Sequence, residues 1–176
     1  MPRFVLFASP WWVNLLALVP AVPFLLSRDA QLEIGRRRLA LTAIFGISFG
    51  FVEAAVVVYL RAATGLWPIP QVHGPAAVAQ SLMRIECFRE AATIVMLAGI
   101  AWIAGNDLRG RCAAFLWTFA FWDFFYYVWL RITIGWPESL LTADVLFLIP
   151  APWIAQVWFP LAISGATAAA IWARCR

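Results

Sequence analysis

The chain has 176 residues, 64% of them hydrophobic and only 12% charged, where soluble domains carry about 25% charged residues. One soluble core of this length could not hide so much apolar surface, whereas lipid solvates it, which excludes an ordinary water-soluble domain. The formal charge is +4 and all thirteen basic residues are Arg; most stand at the ends of apolar runs, as the positive-inside bias produces, so nucleic-acid binding is not expected.

The first apolar run, Ser9 to Leu26, is just long enough to cross a bilayer. Arg3 is its only early charge and no A-x-A site follows it, so a retained helix is expected instead of a cleaved signal. Pro10, Pro20 and Pro23 punctuate the run, and Trp11-Trp12 suit a membrane interface. After the Arg-bearing loop 28–38, the second run, Leu39 to Leu60, has 22 residues and a single charge, Glu53. A loop with Pro, Gly and the lone His73 follows. The clean stretch Ala91–Ala104 has only 14 residues, too few to cross alone. The third helix therefore reaches back to about residue 80, drawing Arg84, Glu86, Arg89 and Glu90 into the membrane.

The fourth run, Cys112 to Ile134, contains Asp123. Beyond Gly135-Trp136-Pro137 an amphipathic piece leads to Asp144 and Val145–Ile149, where Pro150 and Pro152 interrupt it. That segment is expected to re-enter the membrane or lie in its interface. A last helix is expected over about 154–173, bent near Pro160. The pattern predicts an all-α polytopic bundle, one transmembrane domain with helices near 9–26, 39–60, 80–104, 112–134 and 154–173. Cys87, Cys112 and Cys175 have neither a C-x-x-C nor a metal-ligand spacing, and their odd number disfavours a disulfide scaffold.

With five crossings, Arg28, Arg36, Arg37, Arg38, Arg109, Arg111, Arg174 and Arg176 share one side, and Arg3, Arg61, Arg84, Arg89 and Arg131 the other. Eight against five places the C-terminus in the cytoplasm and the N-terminus outside. In that orientation the membrane charges converge. Glu53 lies about seven residues, or ~10 Å, from the outer end of its helix. Glu86, Arg89 and Glu90 come early in the third helix, at spacings that let them meet. Asp123, Tyr126 and Tyr127 share one arc of the fourth. Ala43, Gly46 and Gly50 form a small-residue stripe below Glu53 along which another helix can approach, so Glu53 should face protein and not lipid.

Intramembrane carboxylates are unfavourable by roughly 2.5–3.5 kcal/mol or more each at mid-bilayer, and so mark candidate sites. Three readings compete for them: an interhelical clamp with Arg84 and Arg89, an ion or proton pathway, and a ligand or metal pocket. In the pocket reading Glu53, Glu86, Glu90 and Asp123 supply charge, Arg89 an anion contact, and Tyr126 or Tyr127 hydrogen bonds. The same four carboxylates, without a Glu-x-x-His motif, would suit a hard cation such as Mn, Mg or Ca, on condition that Arg89 turns away. The aromatic run from Phe121 to Trp129 could line a flat apolar ligand, although packing and interfacial belts account for such runs more often. There is no H-E-x-x-H, G-x-S-x-G, Walker loop or thioredoxin-like pair, and one His cannot ligate haem twice.

Trp122-Asp123-x-x-Tyr126-Tyr127, Gly135-Trp136-Pro137-x-Ser139-Leu140 and Leu146-Phe147-Leu148-Ile149-Pro150-x-Pro152-Trp153 resemble an uncharacterised family of small multi-pass bacterial membrane proteins. The resemblance covers about the last third of the chain and implies no activity. Five Trp-rich helices also resemble the translocator-protein family in outline. The expected function is binding of a small ligand or metal in an outward-facing pocket. The alternatives are a non-catalytic subunit or assembly partner of a larger membrane complex, and a small ion or proton transporter, for which a homo-oligomer would supply the missing repeat.

Overall fold

In the computed structural model residues 7–28, 31–63 and 80–175 are described, and His73, Arg3 and Arg176 lie outside them. Strand β1 (Ala8–Ser9) precedes a 3-10 helix, Trp11–Ala21, that continues directly as α1 (Val22–Leu26). The 3-10 path rises about 2 Å per residue, so these sixteen residues, all but Asn14 apolar, reach about 30 Å, a full hydrocarbon thickness. Helices α2 (Arg36–Ala63), α3 (Gln80–Ala104) and α4 (Leu108–Ile134) follow. All three are long and apolar enough to cross a membrane. Strands β2 (Ala143–Phe147) and β3 (Trp153–Gln156) lead into α5 (Trp158–Arg174).

Most helix limits differ from the hydropathy runs because polar residues build the terminal turns. Arg36, Arg37 and Arg38 open α2. Asp107 caps α4, its carboxylate accepting the Gly110 N–H at 2.8 Å, which draws Leu108–Arg111 into the first turn. Gly135, at φ +71°, ends α4 in the left-handed conformation that glycine adopts at no steric cost. The last helix begins at Trp158 and not near 154, since residues 153–156 are a strand. Pro160 consequently stands in the first turn, where its missing N–H is no loss, and does not bend the helix interior.

Two clusters mark the ends of the bundle. Leu39, Ala104, Ala113, Trp117, Ile171 and Cys175 pack together at the end where α2 and α4 start and α5 stops. Leu26, at the end of α1, packs against the same cluster. Ala54, Leu130, Trp136 and Val157 pack toward the opposite end. The N-terminal helix and α5 thus run between the same two ends as the three long helices. Along α2, Gly46 and Gly50 admit α4: an added Cβ would stand 2.8 Å from the Thr118 carbonyl oxygen and 2.9 Å from that of Trp122. The Trp129 indole N–H closes this seam on the Ile47 carbonyl at 3.0 Å.

The segment between α4 and α5 is a β-hairpin and re-enters the bundle. Its strands pair antiparallel, Asp144 opposite Ala155 and Val145 opposite Ile154, and β1 adds to the far side of β3. At the top, Val157 N–H bonds the Thr142 carbonyl. At the bottom, Phe147 lies against Phe119 and Trp122 of α4. Phe119 is fifteen residues, about 22 Å, below the end of α4. Non-helical backbone survives at such depth only where protein or cavity water meets its polar groups.

Candidate functional site

Glu53, Glu90 and Asp123 each join a different pair of elements, while Glu86 pairs within its own helix. Glu53, 4% exposed, reaches from α2 to α3. Its Oε2 accepts a hydrogen bond from Arg89 Nη1, and its Oε1 accepts from Thr93 Oγ1 at 2.5 Å. Arg89 turns its Nε and Nη2 to Glu86 Oε2 at 3.0 and 2.8 Å. One guanidinium therefore holds two buried carboxylates, and among the described residues all of its hydrogen bonds are spent inside this triad. Helices α2 and α3 touch only lightly elsewhere, so the triad is their principal tie.

Glu90 faces the hairpin. Both of its carboxylate oxygens accept the Leu148 N–H, at 3.0 and 2.9 Å. A carboxylate thus satisfies the turn backbone at the tip of the re-entrant hairpin. On α4, Asp123 Oδ2 accepts from Ser164 Oγ of α5 at 2.8 Å. One turn further along, Tyr127 OH donates to Asp144 Oδ2 of β2 at 2.9 Å.

Between these contacts lies a cavity of about 60 Å³. Its walls carry Glu53, Arg89, Glu90 and Thr93 from α2 and α3, and Trp122, Asp123, Tyr126 and Tyr127 from α4. Asp144, Val145, Leu146 and Phe147 of the hairpin close it. Such a volume has room for about four water molecules. Glu53, Glu90 and Asp123 stand ten or eleven residues, about 15 Å, from the helix ends opposite the Arg-rich end. Trp122 is 8% exposed, and its indole Nε1–H finds no acceptor among the described residues.

Six of the seven residues read from the sequence as a site line this one cavity. Glu86 does not; it stands behind Arg89 as the second arm of the triad. Two expectations are corrected. Arg89 is not an anion contact, because two carboxylates already occupy its donors. Glu53, Glu86, Glu90 and Asp123 do not assemble as metal ligands, and no group of three His, Cys, Asp or Glu is placed to do so among the described residues. The reason is that Arg89 stays with its acids, while Glu90 and Asp123 turn to neutral donors on other elements. Arg84, counted with the clamp, is exposed. Most of the aromatic run packs instead of lining the cavity: Phe121 stacks on Phe125 and Trp129 meets Phe51.

The sequence reading missed Asp144, Thr93, Ser164 and the Trp122 N–H. Thr93 was within reach, since it follows Glu86, Arg89 and Glu90 on the same helical face. Asp144 was signalled only as an acid opening a re-entrant segment. Ser164 had no local signal, for its role exists only once α5 packs on α4. No protein-family model, curated protein or solved structure matches the chain.

Proposed function

We propose that this is a bacterial inner-membrane protein of five crossings, N-terminus outside and C-terminus in the cytoplasm, that binds a small ligand in its intramembrane pocket. The bacterial source rests on the sequence resemblance alone. The orientation rests on the gathering of Arg36, Arg37, Arg38, Arg109, Arg111 and Arg174 at one end of the helices. In that frame the pocket lies in the outer half of the bilayer.

The observation that carries the reading is the cavity itself. Carboxylates from α2, α3, α4 and the hairpin converge on a space that side chains leave open. A purely structural set of ion pairs would fill its own interior. Beneath the cavity, toward the Arg-rich end, Leu39, Ala43, Ala101, Ala113 and Ala114 form an apolar layer. The threonines of that region, Thr42 and Thr118, are bonded back to their own helices. That layer supports a blind binding pocket over a proton or ion path through the protein. Native mass spectrometry of protein released from its membranes tests the proposal. A bound small molecule should accompany the parent and be missing from Val145→Phe, which fills the cavity; identical unliganded masses for both would contradict it.

A further inference from the structure

Far from the cavity, the opposite end of the bundle carries charge that the chain leaves uncompensated. Arg28 follows α1, three Arg open α2, Arg109 and Arg111 stand in the first turn of α4, and Arg174 ends α5. The described acids near them are Glu33 and Asp107, and Asp107 is engaged with the Gly110 N–H. Among the described residues, the side chains of Arg28, Arg36, Arg37 and Arg174 make no ion pair and donate no hydrogen bond. At α2 the arrangement is worse than neutral. The peptide dipoles already make a helix N-terminus positive, and this first turn adds Arg36, Arg37 and Arg38 with no acid. An anion from outside the chain offsets both. At the other end of α4 nothing comparable exists for Arg131, which donates to the carbonyls of Gly135 and Pro137.

The way these guanidinium groups are held points to one kind of anion. Arg36 lies over the Trp172 ring at 5.3 Å and Arg174 over the Phe24 ring at 4.8 Å. The ring holds the cation in place, while the planar fork of N–H donors stays available to a phosphate. Trp172 and Phe24 are themselves 50% and 46% exposed on the outer surface of the bundle. Each pair therefore sets donors for a phosphate beside an apolar ring face for hydrocarbon. Free phosphate would use only the donors, whereas an anionic phospholipid uses both. We propose that this end of the bundle is a binding surface for anionic phospholipid, with lipid phosphates held by Arg36 and by Arg174 and acyl chains lying against Trp172 and Phe24.

The test is native mass spectrometry of the full-length protein, stripped of its own lipid in detergent. It is titrated with phosphatidylglycerol or with phosphatidylcholine of the same acyl chains. Phosphatidylglycerol should bind several-fold more tightly. An Arg beside an anionic membrane surface strengthens attraction about fivefold, so Arg36→Gln/Arg174→Gln should lose most of that preference. Arg37→Gln should by itself cost about fivefold in affinity for phosphatidylglycerol. Its side chain has no partner among the described residues, so the fold should be untouched and the result does not depend on the double variant folding. Arg84→Gln removes the same charge from the opposite end of α3 and should change nothing. Glycerol phosphate should not displace the lipid. Equal affinity for the two lipids, equal losses in Arg37→Gln and Arg84→Gln, or displacement by glycerol phosphate would each overturn the proposal.

Discussion

Replacing Arg89 by Met removes the one cation between two buried carboxylates while keeping most of the side-chain volume. Glu53 and Glu86 are 4% and 8% exposed, so neither can turn to water without moving a helix. Stripping one partner from a buried ion pair costs about 3–5 kcal/mol, because the remaining charge is stranded and not because the pair itself was worth so much. The lower part of that range applies here, since Glu53 keeps its bond from Thr93. At about 2–4 °C per kcal/mol for a chain of this size, a loss of about 3–4 kcal/mol should lower the melting temperature by roughly 6–16 °C. The assay is recovery of monodisperse protein on size exclusion after a heating series. Arg84→Met, at an exposed position on the same helix, should stay within ~0.5 kcal/mol of the parent. The double variant Arg89→Met/Glu53→Gln should regain part of the loss, since it no longer strands Glu53. If Arg89→Met melts within a degree or two of the parent, the triad is not what ties α2 to α3.

Glu90→Leu leaves the hairpin-tip N–H of Leu148 without an acceptor, costing about 1–3 kcal/mol, whereas Glu90→Gln keeps an acceptor and should cost less. Hydrogen exchange at residues 147–149 should accelerate in the Leu variant, and equal exchange in both would refute the capping role. Gly50→Val places carbon against the Trp122 carbonyl and should destabilise by about 1–3 kcal/mol or more in the same heating assay, while Gly99→Ala, with open space around it, should be neutral or slightly stabilising. Beyond the end of α5, burial pushes the Cys175 thiol up from its ordinary value. The fold therefore favours the neutral thiol and loses that contribution as pH rises through the folded-state value. Maleimide labelling of Cys175, followed by mass spectrometry, should be slow at neutral pH and quicken on unfolding or with rising pH; labelling at the unfolded rate at neutral pH would contradict this.

Helix number, the re-entrant segment and most of the pocket were legible in the sequence, for a reason peculiar to membranes. A charge inside an apolar run is costly wherever it faces lipid, so Glu53, Glu86, Glu90 and Asp123 had to face protein. The stripe of Gly46 and Gly50 fixed which face of α2 that was. What each acid would bond to was not legible, because the partners come from elsewhere in the chain. Ser164 stands 41 residues from Asp123, and the Leu148 N–H 58 residues from Glu90. The hairpin conformation was also hidden. Val145–Ile149 reads equally as a short helix or a strand, and only pairing with Trp153–Gln156 decides it. Of the alternatives, the clamp is seen where Arg89 holds Glu53 and Glu86, and a cavity opens beside Glu90 and Asp123.

The central claim is that the carboxylate pocket takes small molecules from the side opposite the Arg-rich end. Substituted-cysteine labelling tests it most directly, using Leu146→Cys in a background with Cys87, Cys112 and Cys175 replaced by Ser. Leu146 lines the cavity, whereas Val95 on α3 is 70% exposed on the outer surface of its helix. A membrane-impermeant cationic methanethiosulfonate added outside intact cells should modify Leu146→Cys much faster than Val95→Cys, and Val145→Phe in the same chain should block it. Modification of Leu146→Cys only from the cytoplasmic side of inverted vesicles, or no faster than Val95→Cys from either side, would contradict the account.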